Sequence, residues 1–224
     1  MKNQYFGDNS DVFKYDLIYQ IMQAGLVNHF TFIPMLTEND HKNHGEKSNR
    51  KKAMVGKKNN ELVSFLDDCI KDKRRNIKEL DRFFTPYGIN MTIYDGERHF
   101  TRQRRGKYFG GIDDELLKKS LIFVDPDIGL EVKNPKKEHV LYNEVKDLYE
   151  RMDQESMLMV FQYFPREDHP EYLNRRMEEI KELIMDDFPV CIDNDEIIFF
   201  FLTRNSSLEH SLMHLIGDYT ESYS

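Results

Sequence analysis

Cysteine is almost missing from this 224-residue chain: Cys69 and Cys191 are the only two. They lie far apart and outside any metal or redox spacing, which excludes a disulfide framework and a cysteine-ligated metal site. No run approaches the roughly 20 apolar residues that span a bilayer, and the opening MKNQYFGDNSD lacks the apolar core of a signal peptide. A reducing cytoplasm is the expected compartment. No stretch rich in Pro, Gly and Ser divides the chain, so a single α/β domain over 1–224 is expected. A P-loop and a G-x-S-x-G nucleophile elbow are both missing, which removes the chemistry those turns support. His210 and His214 lack the Glu of the zinc-protease pattern, and His41 and His44 have no cysteine near them.

Charge is present in quantity but unevenly placed. The net charge is −8, which on its own disfavours nucleic acid. Residues 1–107 nevertheless carry 20 Lys/Arg against 14 Asp/Glu, a balance of +6. Residues 108–224 carry 12 against 26, a balance of −14. Such asymmetry marks a phosphate-binding surface in one half. Acidic residues 167–196 offer a surface for a protein partner.

Hydrophobic periodicity gives the order of elements. Helices are expected at 11–22, 60–84 with a break near 71–76, 112–119, 138–153, 170–185 and 206–216. Strands are expected at 29–36, 89–95, 121–124 and 157–164, with a hairpin of 190–192 and 197–202 around Asp193-Asn194-Asp195. Residues 37–58 and 97–111 read as mobile basic loops. The alternation predicts a Rossmann-like, mostly parallel sheet ending in an antiparallel hairpin, with 121–124 central between the strands at His29 and Met157.

The stretch that organises the chain is SLIFVDPDIGLEVK, Ser120 to Lys133. An apolar strand ends abruptly in Asp125-Pro126-Asp127, followed by Glu131 and Lys133. Ligands of open α/β sheets bind at that carboxyl edge. Asp125, Asp127 and Glu131 are candidate ligands for Mg²⁺ or Mn²⁺, ions that prefer oxygen donors. Lys133 would stabilise charge on a phosphate. Gln162, Tyr163 and Arg166, ending the next strand, would face the same edge, where Gln162 and Arg166 would bind substrate and Arg166 would hold its anion. Arg98, Arg102, Arg104, Arg105 and Lys107, interleaved with Phe100 and Tyr108, would grip phosphates and stack bases. Lys47, Arg50, Lys51, Lys52, Lys57 and Lys58 invite the same reading.

Two stretches carry a family resemblance. Tyr5 to Ile18, YFGDNSDVFKYDLI, resembles the HAGNHADVLKH opening of the bacterial adenine-N6 methyltransferases that act on 23S ribosomal RNA. Asp125-Pro126 resembles the start of their D-P-P-Y. The whole chain looks closer to an uncharacterised bacterial and prophage family, in the segments Lys2 to Asp8, Met35 to Thr37, Asp125 to Glu131 and Gln162 to Arg166. The methyltransferase resemblance implies a Rossmann-like sheet, Lys14 and Tyr15 beside a pocket for S-adenosylmethionine, and Asp125 as the catalytic carboxylate. The chain departs from it at two places. Met35-Leu36-Thr37-Glu38-Asn39-Asp40 stands where those enzymes have a glycine-rich turn, and Asp127-Ile128 stands where they have Pro-aromatic.

Three functions follow as expectations. The first is a divalent-metal-dependent enzyme acting on phosphodiesters of nucleic acid or nucleotides, with Asp125, Asp127, Glu131 and Lys133 at its centre. The second is a diverged S-adenosylmethionine-dependent adenine-N6 methyltransferase. The third is a non-catalytic phage or defence-system binding protein.

Overall fold

Successive side chains of a strand point to opposite faces, and this chain loads both faces with apolar groups. The structure, a computed structural model, describes residues 1–40, 55–185 and 189–223. Its strands are β1 (His29–Pro34), β2 (Met91–Ile93), β3 (Ser120–Asp125), β4 (Gly129–Leu130), β5 (His139–Val140), β6 (Met157–Tyr163), β7 (Val190–Asp193) and β8 (Ile197–Leu202). Its helices are α1 (Asn9–Gln23), α2 (Asn60–Lys71), α3 (Leu80–Phe84), α4 (Arg105–Gly110), α5 (Tyr142–Arg151), α6 (His169–Ile184) and α7 (Ser206–Tyr223). Phe30, Phe32, Leu121, Phe123, Met157 and Met159 pack on one face with α1, α2, α3 and α7. Ile33, Ile122, Val124, Leu158 and Val160 pack on the other with α4, α5 and α6. The result is a three-layer α/β architecture.

The main sheet runs β2-β1-β3-β6-β8-β7. β2, β1, β3 and β6 are parallel neighbours, and β8 runs antiparallel to both β6 and β7. β3 is central, between β1 and β6, as its unbroken apolar run predicts. β4 and β5 form a separate two-stranded pair. Among the described residues no helix is long and apolar enough to cross a membrane.

Several segments differ from expectation, and the helix expected at 138–153 begins only at Tyr142, after β5. Residues 97–111 are not a plain basic loop, because they contain α4 and a preceding 3-10 turn at Arg102–Arg104. Phe100, Tyr108 and Phe109 drive this by burying themselves in the core, and Tyr108 Oη donates to the Pro34 carbonyl at 2.6 Å. The helix expected at 112–119 is only a 3-10 turn, Asp114–Leu117. α7 runs on past Gly217 to Tyr223, since Tyr219 and Tyr223 both donate to the buried Asp16 carboxylate, at 2.8 and 2.6 Å. His41, His44, Lys47, Arg50, Lys51 and Lys52 lie outside the described residues.

Candidate functional site

β1 sends the chain towards one edge of the sheet and β3 towards the other. Their connections leave on opposite faces, and at such a switch point a crevice opens beyond the carboxyl ends of the two strands. Pro34 and Asp125 are paired there, and the Met35 N–H donates to the Asp125 carbonyl at 3.1 Å.

The N-terminal helix delivers the partner for Asp125. Asp8 caps α1 by accepting from the Asp11 N–H at 3.0 Å, the ordinary role of an acid at that position. Gly7, at φ +86°, donates to Asp11 Oδ2 at 2.8 Å and fixes that carboxylate. One turn on, the Lys14 ammonium donates to Asp11 Oδ1 and to Asp125 Oδ2, both at 2.9 Å. All three side chains are about 95% buried or more. The ammonium also lies 5.0 Å from the Phe161 ring centroid and 5.8 Å from that of Phe123.

These contacts set the protonation. Burial penalises the Lys14 charge, but Asp11 and Asp125 outweigh it and hold the ammonium well above the ordinary lysine value. Burial raises the Asp125 carboxyl, with Lys14 opposing. Burial and the neighbouring Asp11 push Asp8 up to about 7. The Tyr15 phenol is also raised by burial, then by Asp11. Among side-chain polar atoms of the described residues that are fully sealed from solvent, its hydroxyl alone lacks a hydrogen-bond partner.

Asp127 faces a different set of groups. It accepts from Lys2 Nζ at 2.7 Å and Thr37 Oγ1 at 3.0 Å, and the Met1 amino group lies 3.3 Å away. Burial raises its carboxyl, but the Met1 ammonium and Lys2 prevail and hold it below the usual aspartate value. Between Asp125 and Asp127 remains a cavity of about 30 Å³, whose walls include Asp8, Asp11, Lys14 and Tyr163. That is the volume of about one water molecule. Asp125 Oδ1 has no hydrogen-bond partner among the described residues, so the cavity is lined by an uncommitted acceptor.

The remaining expected site residues are scattered. The chain turns sharply at Gly129, whose φ is +138°. Leu130 N–H donates to Gln162 Oε1 at 2.7 Å, and the Glu131 carbonyl accepts from Arg176 Nη1 at 3.0 Å. Neither Glu131 nor Lys133 lines the cavity, so they are not gathered with Asp125 there as expected. Gln162 is buried and serves this turn rather than a substrate. Arg104 pairs with Asp95 at 3.1 Å. Arg105 pairs with Glu144 and donates to the His139 carbonyl at 2.7 Å. Both hold the fold together, and Arg102 is exposed. Arg166 lies in an open groove that shares Tyr163 with the cavity. Lys2 and Thr37 stand in two of the stretches that carry the family resemblance, but only the fold brings them to Asp127.

The two implied cofactors meet different obstacles. Among the described residues no three His, Cys, Asp or Glu side chains are placed to hold a metal ion; Lys14 stands between Asp11 and Asp125 instead. S-Adenosylmethionine does not fit the crevice in this arrangement. The turn after β1 carries full side chains, Thr37 is bonded to Asp127, and the open space suits one water. A concavity of about 940 Å³ lies between α7 and the far end of α1, away from Asp125. No family model, curated protein or solved structure matches the chain.

Proposed function

We propose that the protein acts on an amine-bearing nucleobase, carried by a nucleotide or a nucleic acid, and that Asp125 is the group that receives the amine. The observation that supports this reading is the 2.9 Å pair between Lys14 and Asp125. It joins the two stretches that separately resemble the adenine-N6 methyltransferases, across 111 residues of chain. The mostly parallel sheet with its antiparallel strand pair agrees with the Rossmann-like, methyltransferase-like fold that the resemblance implies.

The chemistry follows from the two oxygens of Asp125. Lys14 fixes Oδ2 and thereby the plane of the carboxylate. Oδ1 is left to accept a hydrogen bond from an N–H donor entering the cavity, whose volume suits an amino group as well as a water. A carboxyl raised by burial is also a better proton acceptor than an exposed one. The fixed lysine compensates charge without occupying the reacting side.

The test is product analysis by mass spectrometry. The full chain is incubated with nucleotides, RNA and DNA, alone, with S-adenosylmethionine, and with Mg²⁺ or Mn²⁺. The expected result is a mass change on the base that is lost in Asp125→Asn. Phosphodiester cleavage undiminished in Asp125→Asn, or no product in any arm, overturns the reading.

A further inference from the structure

Beside the Asp125 cavity lies an open groove of about 620 Å³, between the end of β6 and the β7–β8 turn. Tyr163 belongs to both spaces. Its ring stands edge-on to buried Phe161 at 4.7 Å, which holds it in place while 41% of the residue stays exposed. The Tyr163 N–H donates to the Ile128 carbonyl at 3.3 Å, which brings Ile128, 38% exposed, alongside. Among the described residues only five large apolar side chains are exposed to this extent. Ile128 and Tyr163 are two of them, joined by that bond on the segments that flank Asp125. Clustered exposure of this kind marks a contact surface rather than scattered apolar residues.

Arg166 supplies a charge to the same groove. It is exposed and makes no hydrogen bond or ion pair among the described residues. Arg104, Arg105, Arg175 and Arg176 are all engaged with acids. A held aromatic ring beside a free guanidinium recognises a planar ring bearing an anionic group. Glu167, Asp195 and Glu196 also line the groove, with Glu167 paired to Arg175 at 3.0 Å. Their charge opposes a run of phosphates, and Arg166 offers one cationic seat.

We propose that this groove is a nucleotide subsite. The base rests on Tyr163 against Ile128, its amine enters the Asp125 cavity, and a single phosphate sits on Arg166. The assignment rests on the reading of Asp125 as amine acceptor, and it narrows the ligand to one nucleotide unit rather than an extended polyanion.

Calorimetry on the full chain tests it, with adenosine, adenosine 5′-monophosphate, inosine 5′-monophosphate and a deoxyadenylate decamer. Adenosine monophosphate should bind about tenfold more tightly than adenosine, through one charge-assisted contact. Arg166→Ala should erase that difference. Tyr163→Ala should weaken both ligands by roughly 5- to 100-fold, the range of one base stack, while Tyr163→Phe should retain binding. Asp125→Asn should erase the preference for the adenine over the hypoxanthine nucleotide. If Tyr163→Ala and Arg166→Ala bind as the parent does while Asp125→Asn loses its amine preference, the subsite is wrong and the Asp125 reading stands. If the first two variants respond but adenine and hypoxanthine bind alike, the subsite stands and the Asp125 reading fails. Tighter binding of the decamer than of the mononucleotide, or no binding of any nucleotide, overturns the subsite.

Discussion

The Lys14 ammonium donates to Asp125 Oδ2 at 2.9 Å, and neither side chain is more than 5% exposed. Taking two charges out of water is costly unless each meets the other. Lys14 meets two acids, since Asp11 lies at the same distance. Removing the lysine leaves two buried carboxylates without their cation. Lys14→Met should therefore cost about 3–5 kcal/mol of stability, the usual loss on breaking a buried pair. Adding Asp125→Asn should recover about 1 kcal/mol or more, because contacting residues do not act independently. Urea denaturation of the two single variants and the double variant decides the matter; strictly additive losses would count against the pairing.

Gly129 and Gln162 are coupled in a second way. A Cβ at Gly129 would lie 2.5 Å from Gln162 Cδ, and φ there is +138°. Gly129→Ala should cost about 2–4 kcal/mol, from backbone strain and from losing the bond that satisfies the Leu130 N–H. Gln162→Ala removes the collision but not the strain or the unsatisfied N–H. The double variant should thus remain well below the parent in melting temperature. Full recovery would show that collision alone explains the glycine.

Asp8 gives the fold a pH signature. Its carboxyl is raised to about 7 in the folded chain from an ordinary value of 3.8. Between those values the folded state holds a proton that the unfolded state has released, so stability falls as pH rises. Below about 4 both states are protonated, and above about 7 both are ionised, so the change is confined to that window. Asn keeps the cap and does not titrate. The melting temperature of Asp8→Asn relative to the parent should therefore climb from pH 4 to pH 7 and then level off. A difference independent of pH would refute the shift.

The basic segment at 102–105 should divide by residue. Arg105 pairs with the buried Glu144 and caps backbone carbonyls, so Arg105→Ala should cost about 3–5 kcal/mol by stranding that acid. Arg102→Ala should stay within about 0.5 kcal/mol, as exposed substitutions do. Chemical denaturation separates them. Equal effects would mean that Arg105 is as dispensable as its neighbour.

Where local pattern controls structure, the sequence was readable. The apolar run Leu121–Val124 could only be buried on both faces, and β3 is central. The Asp193-Asn194-Asp195 turn lies between β7 and β8 as expected. Asp125 stood out because an acid at the end of a buried strand needs a reason. What local pattern could not carry was the direction of the chain after it. Glu131 and Lys133 are near Asp125 in sequence, but the turn at Gly129 and the hold of Gln162 and Arg176 carry them elsewhere. The helical turn at Arg105 was hidden because its charges suggested solvent, while its stability comes from Phe100, Tyr108 and Phe109 meeting the core. Lys2 and Thr37 converge on Asp127 only through tertiary structure.

The Lys14–Asp125 pair also dates the assembly of the protein. On a ribosome α1 emerges long before β3, and until residue 125 is outside, Lys14 has Asp11 alone for a partner. The α1 helix must wait for a strand made 111 residues after its lysine. Contacts that span so much chain form slowly and after loop closure has been overcome. The centre of this molecule is thus a late event in its own making.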